Sequence, residues 1–374
     1  MRRAFVKKGG GASREKATIC GEKTGVSCRY LLVGKALARP FFHLAESQFV
    51  EVIALQLDPM ENTEKPVKPY QPVAATALGI VFVSTASIFI RFAQEEASSI
   101  VIAAGRLLVA SLVLVPIALI RFQEQFKSLT RPEWIKGSLS GLFLALHFAT
   151  WITSLEYTSV ASSVVLVTTT PLWVALLSPL ILNEAIHRSV FIGLIISVAG
   201  GVVVGLGNAC SLSLDGLACQ AQVFSGTAML GNFLALFGAW MAAGYMLMGR
   251  QLRKKLNTVA YGALVYGVAA VLLLFVVILR AEPIRSYSAE TYFWLLALGL
   301  FPQLLGHSLF NWSLKYISAA YVSLTLLGEP IGTILLALIF LQESPSLLEG
   351  VGAGLILIGI VIGSLGRIRR VNGA

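Results

Sequence analysis

Aspartate is almost missing from this chain of 374 residues, occurring only at Asp58 and Asp215. Metal-dependent phosphotransfer and intramembrane aspartyl catalysis need clustered carboxylates, so both lack their raw material. Charged residues of every kind are scarce, at 13% against about 25% in a soluble domain. The four cysteines, Cys20, Cys28, Cys210 and Cys219, show no C-x-x-C spacing, which argues against zinc. No Walker lysine accompanies the glycine run GGVVVGLG at 200–207, so a phosphate-cradling loop is not expected. The net charge of +10 comes without a basic-aromatic cluster or finger spacing, so nucleic acid is not an expected partner. No metal and no cofactor is expected.

Apolar residues take the place of the missing charge. They make up 56% of the chain, and mean hydropathy is +0.78. In water such a surface would carry large apolar patches, so the composition points to a polytopic membrane protein. A bilayer-spanning helix needs about 20 mostly apolar residues. Ten segments qualify, near 73–92, 100–120, 134–153, 159–182, 189–207, 229–249, 259–279, 292–312, 317–341 and 346–366. They are long, continuous and rich in Leu, Ala and Gly, with no period-2 alternation, so helices rather than strands are expected. The expected fold class is therefore an all-α membrane protein with ten transmembrane helices.

Lys and Arg concentrate in alternate loops. One set holds Arg121, Lys127, Arg131, Lys136, Arg188, Arg250, Arg253, Lys254, Lys255, Lys315 and the tail from Arg367 to Arg370. The other set holds only Arg280 and Arg285, with Arg91 at a helix end. Basic loops stay on the cytoplasmic side, which places both termini there and supports an even number of spans.

Sliding the sequence by 159 residues brings Pro171 onto Pro330, Glu184 onto Glu343, Gly193 onto Gly352, Gly200 onto Gly359 and Arg91 onto Arg250. The two halves are thus spans 1–5 and spans 6–10. Five is odd, so the second half enters the bilayer from the opposite side, an inverted repeat of the kind many secondary transporters use. Two related halves of opposite orientation can exchange conformations at similar free energy, which alternating access needs.

The first repeat closes with TTTPLWVALLSPLILNE (168–184) and the second with LLGEPIGTILLALIFLQE (326–343). Gly-rich spans follow each, GLIISVAGGVVVGLG and GAGLILIGIVIG. The second span carries GRLLVASLVLVP (105–116), and the sixth reads GNFLALFGAWMAAGYMLMGRQLRKK (231–255). Over about 73–368 these segments resemble the drug/metabolite transporter superfamily, in particular its EamA-type members. The resemblance implies ten transmembrane helices, cytoplasmic termini and transport of small organic metabolites, amino acids or related compounds among them.

The expected organisation is a basic extension at 1–72, a first five-helix repeat at 73–207, an external loop at 208–228, a second repeat at 229–367 and a cytoplasmic tail at 368–374. Residues 1–43 hold 10 Lys/Arg and two acidic residues, without the apolar core of a secretory signal. Two readings stay open: an organellar transit peptide, or sequence upstream of a start at Met60. The expected location is the plasma (inner) membrane, or an organelle membrane on the transit-peptide reading.

An ionisable side chain inside a bilayer is costly and marks a functional candidate. Arg106 in the second span and Glu329 in the ninth meet that description. They are expected to face a central cavity, either paired or binding opposite ends of a zwitterion. Pro330, with its repeat partner Pro171, is expected to kink its helix and free a carbonyl. His147 and His307 lie in apolar spans and are candidates for carrying a coupling proton. Trp151, Trp240, Tyr266 and Asn311 are further candidates for the substrate cavity. Glu184 and Glu343 close long spans and are expected to serve as helix-end or gate residues. Small residues at Gly200, Gly201, Gly205, Gly350, Gly354, Gly359 and Gly363 suit close helix packing within the chain, or a homodimer contact. Cys210 and Cys219 share the outer loop and are either a disulfide or two free thiols. The expected function is a secondary transporter, and not an enzyme, exchanging a small-molecule substrate across the lipid bilayer by rocking of the halves. A lipid- or isoprenoid-modifying membrane enzyme and a non-transporting receptor or assembly protein are the alternatives.

Overall fold

The computed structural model describes residues 68, 70–158, 163, 166–213, 216–219, 226–284, 286–336 and 347–371. The first span is broken in two, α1 (Gln71–Ser84) and α2 (Ala86–Ala93). Ser84 Oγ donates to the carbonyl of Ile80 and Thr85 Oγ1 to that of Phe82, both at 2.7 Å. Hydroxyls that bond back to the preceding turn bend helices, which places the break. Next come α3 (Ser99–Arg121), the short α4 (Gln123–Lys127), α5 (Arg131–Tyr157), α6 (Thr170–Leu182) and α7 (Arg188–Ala209). The second half runs through α8 (Gly226–Leu252), α9 (Thr258–Leu279), α10 (Ala289–Leu298), a π-helix (Gly299–His307), α11 (Ser308–Ser313), α12 (Ala319–Leu326), α13 (Glu329–Leu336) and α14 (Leu347–Val371).

Six of the described stretches are helical, apolar and long enough to cross a membrane: 71–93, 99–121, 131–157, 226–252, 258–279 and 289–313. Shorter apolar helices cover 170–182, 188–203 and 350–363. The fold class is all-helical as expected, with one local exception outside the spans. In the segment expected to be an external loop, β1 (Cys210–Ser213) and β2 (Gly216–Cys219) form an antiparallel hairpin. A two-residue connection favours such a hairpin.

The repeat is visible in the backbone. Helices begin at Ser99 and Thr258, at Thr170 and Glu329, and at Arg188 and Leu347, each pair 159 residues apart. Contacts obey the same shift. A Cβ on Gly200 would lie 2.7 Å from the carbonyl oxygen of Gly352, while Gly193 meets Gly359 as closely, backbone to backbone. The shift converts one contact into the other. Ser197 Oγ donates to the carbonyl of Ile356 at 3.1 Å, and Ile356 is its own repeat twin. A residue touching its twin lies on a two-fold axis, so α7 and α14 cross at a pseudo-symmetry axis. Of the expected glycine stripe, Gly200, Gly359 and Gly363 pack within the chain there, joined by Gly193 and Gly352, whereas Gly350 and Gly354 meet no described atom within 4 Å. Where lipid surrounds a bundle, van der Waals contact between small residues replaces the hydrophobic drive between helices.

Twin positions also perform twin tasks at the helix ends. Gln94 Nε2 donates to Ser99 Oγ at 3.1 Å, and its twin Arg253 donates through Nη2 to Thr258 Oγ1 at 2.8 Å. Ser99 Oγ then reaches the carbonyl of Ile152, and Arg253 Nε reaches that of Asn311, the twin of Ile152. Arg253 is therefore only 2% exposed. It was grouped with the loop cations by sequence, but it is a buried brace.

Pro171 and Pro330 differ from the kinks expected of them. Each is the second residue of its own helix, α6 or α13. A proline in the first turn costs no helical hydrogen bond, so α6 starts afresh at Thr170, and α12 and α13 meet at a break and not at a bend.

Candidate functional site

A cavity of about 90 Å³ opens between the two halves. Its wall is built from twins: Val83 and Ala242, Ala86 and Tyr245, Phe148 and His307, Trp151 and Phe310, Val167 and Leu326, Thr170 and Glu329 all line it. The pseudo-symmetry axis thus passes through the cavity. Geometry is shared between the halves, whereas chemistry is not. From the second half come Tyr245, His307, Asn311 and Glu329. From the first come Arg106, His147 and Trp151.

Arg106 projects from α3 and is 1% exposed. Its Nε donates to Gln303 Oε1 at 3.1 Å, and its guanidinium carbon sits 3.9 Å from the ring centre of Phe148. Its Nη1 is buried and has no hydrogen-bond partner among the described residues. Among the described residues no carboxylate comes within ion-pair distance of Arg106, so Glu329 shares the cavity without bonding to it. Glu329 begins α13, and its own carbonyl accepts from Ser84 Oγ at 3.2 Å.

His147 Nδ1 donates to the carbonyl of Gly238 at 2.9 Å, since that oxygen can only accept. In the neutral ring the other nitrogen is then the acceptor. Trp151 lies parallel to His147 at 5.9 Å, and His307 meets Phe148 edge-on at 5.4 Å. Tyr245 OH donates to Asn311 Oδ1 at 2.7 Å, and Asn311 Nδ2 donates to Tyr266 OH at 2.9 Å. Tyr266 stands behind Asn311 and does not line the cavity. Trp240 is also outside it, packed at 5.3 Å against Trp173.

Away from the cavity, Glu184 accepts from Arg250 Nε at 2.8 Å. Arg250 Nη1 also donates to the carbonyls of Leu314 at 2.5 Å and Lys315 at 3.0 Å. One guanidinium therefore ties the ends of α6, α8 and α11 together. Its twin Arg91 is exposed, and Glu343, the twin of Glu184, lies outside the described residues. Cys210 and Cys219 are partners in the hairpin register.

Gln303 was missed by sequence reasoning. It is fully buried, and it was detectable as the lone amide beside Pro302 in an otherwise apolar run. Phe148 and Phe310 were invisible, because nothing distinguishes a cavity phenylalanine from a core one before the fold is known.

The model of the EamA-like transporter family matches residues 72–206 and again 229–365. The chain belongs to the EamA-like transporter family. Both matched EamA units stop short of the hairpin between them. The chain is 24% identical over 263 residues to a protein of Bacillus subtilis (strain 168) named "Uncharacterized transporter YetK", covering 69% of this chain and 76% of that one. A protein of known crystal structure superposes with a TM-score of 0.63 over 78% of this chain and 98% of its own. Their identity of 18% makes that likeness one of fold alone. Membership of the EamA family makes the chain a multi-pass membrane transporter.

Proposed function

We propose that the chain is a secondary transporter of small organic metabolites, amino acids and related compounds among them, working by alternating access in the plasma membrane. The reading takes ten spans in two inverted sets of five, with both termini in the cytoplasm. One observation carries it: the cavity lies on the axis that exchanges the halves, with a cation and a carboxylate in its wall that do not neutralise each other. A buried arginine and a half-buried glutamate left unpaired are expensive unless a ligand completes them. A zwitterion would present one group to Arg106 and the other to Glu329. His147 and His307 are the groups placed to carry a coupling proton. On the cytoplasmic side, the Arg250–Glu184 latch is the gate, and its opening accompanies exposure of the cavity inward.

The test is flux in proteoliposomes loaded with radiolabelled amino acids. Wild-type protein should move at least one of them faster than empty vesicles, and Glu329→Gln should not. Equal flux in empty and loaded-protein vesicles across the panel would overturn the reading. Reporter fusions at positions 215 and 254 should fall on opposite sides of the membrane.

A further inference from the structure

The π-helix at Gly299–His307 has no counterpart in the first half, where α5 continues as an α-helix. The helix caps Thr130 and Ser288 are 158 residues apart, while the helices on either side begin 159 apart. The second copy therefore holds one more residue between its cap and the following helix. A π-turn is the wider turn that stores such a residue, and π-bulges recur at functional sites.

What that turn carries is Gln303. Its carbonyl oxygen takes the Nε proton of Arg106 at 3.1 Å, and the matching turn of α5 offers only Leu144 and Ala145. With Nε held by Gln303 and one face of the guanidinium on Phe148 at 3.9 Å, the orientation of Arg106 is fixed from two sides. Among the described residues its Nη1 is left as a buried donor with no partner, and Trp151 Nε1, from a second lining residue, is another. Among the described residues Arg106 is the single Lys or Arg in the cavity wall, and Glu329 faces the same space. One cation opposed by one carboxylate suits a monoanion and repels a dianion such as phosphate. A volume of about 90 Å³ also limits the cargo to a few non-hydrogen atoms in this conformation.

We propose that Gln303 is a positioning residue that holds Arg106 so that its free Nη1 binds a carboxylate on the cargo. The inference deepens the transport reading and rests on it. It assigns selectivity for the carboxylate to a side chain that does not itself touch cargo. A carboxylate offers the two unpaired donors two charged acceptor oxygens, whereas an amide offers one neutral acceptor oxygen and an NH2 that is itself a donor.

The experiment measures thermal stabilisation of the purified full-length protein by propionate, L-alanine and L-alaninamide. Wild type should be stabilised by propionate and L-alanine and not by L-alaninamide. In Gln303→Leu the dissociation constants for both carboxylates should rise about tenfold. Gln303→Glu keeps an acceptor for Nε but places a competing carboxylate on Arg106. It should retain its unliganded Tm within a few degrees and lose the preference for L-alanine over L-alaninamide. A merely structural Gln303 would move the unliganded Tm and leave that preference intact. The inference is overturned by unchanged carboxylate affinity in both variants, by L-alaninamide binding wild type as well as L-alanine, or by no stabilisation from either carboxylate. Loss of flux in proteoliposomes with this binding pattern intact would instead sink the transport reading alone.

Discussion

The two halves of this molecule share a backbone and divide the chemistry. Helix starts, crossing glycines and cavity positions all repeat at 159 residues. At those shared positions one half holds an alanine or a phenylalanine where the other holds Tyr245 or His307. Symmetry therefore belongs to the packing, and asymmetry to the polar groups of the cavity wall. If the halves rock as the transport reading requires, their packing must tolerate exchange of roles, whereas one cargo needs only one set of polar groups.

The packing side of the comparison breaks most readily at the crossing of α7 and α14. A side chain at Gly200 would meet the backbone of Gly352 and Ile356, neither of which can yield as a flexible side chain does. Gly200→Leu should cost about 3 kcal/mol, the upper range for overpacking. Its twin Gly359 faces Gly193 and Ser197 in the same way, so Gly359→Leu should cost a similar amount. Thermal unfolding in detergent measures both. A cost confined to one of the two would show that the crossing is not symmetric.

The chemical side is sharpened by Glu329 and its twin. Thr170 Oγ1 donates to the carbonyls of Val167 at 2.8 Å and Ala239 at 3.3 Å, so its polarity is spent on backbone. The Glu329 carboxyl makes no ion pair among the described residues. Glu329→Gln should lower flux by about two orders of magnitude, the scale for loss of a charged contact in a desolvated site. Thr170→Val should leave it within about threefold. Equal losses at the twins would erase the proposed division of labour.

A smaller contrast separates Arg250 from Arg91. Arg250→Ala removes the Glu184 contact and two bonds to carbonyls, and should lower stability by about 1–2 kcal/mol. Arg91 is exposed, and Arg91→Ala should stay within about 0.5 kcal/mol of wild type. Chemical denaturation of the two variants side by side would compare them.

Legibility in the sequence followed the same division. Apolar runs, loop charge and the 159-residue shift expose the helices and their duplication, because burial in lipid is written in residue type over long windows. Arg106 and Glu329 stood out because a charge in such a window is rare. The break at Thr85, the π-turn and the burial of Arg253 were not legible. The break rests on local hydroxyl bonds that serine and threonine make in unbroken helices too, and the other two depend on one residue meeting a distant one: Gln303 with Arg106, Arg253 with Asn311. Trp240 and Tyr266 look like cavity residues by type, yet a tryptophan or tyrosine fills a helix interface equally well.

The smallest effect is expected where twins do one task with opposite charge. Glu96 accepts from the backbone N–H of Ser288 at 2.7 Å and from Thr291 Oγ1 at 2.8 Å, completing the N-terminal cap of α10. Its twin Lys255 donates to the carbonyl of Ser128 at 2.7 Å and to Glu133 at 2.8 Å, beside the N-terminal cap of α5. The difference follows from the third residue of each helix. Glu133 supplies its own carboxylate to that cap, whereas Thr291 cannot, so the carboxylate comes from the preceding loop. The Ser288 N–H, followed by the Thr291 hydroxyl, holds the Glu96 carboxyl below its ordinary value of 4.5. A lowered carboxyl stabilises the folded state while it is ionised, so the contribution is full above pH 4.5 and fades as pH falls through the folded value. Glu96→Gln should therefore lower Tm slightly at neutral pH, with the gap to wild type closing below pH 4.5. Lys255→Gln should show a closing that runs further into acid, because Lys255 is the first cause that holds the Glu133 carboxyl down, at about 2, and the contact loses its charge as that carboxylate protonates. A gap for Glu96→Gln that persists unchanged into acid would mean that its cap works by shape and not by charge.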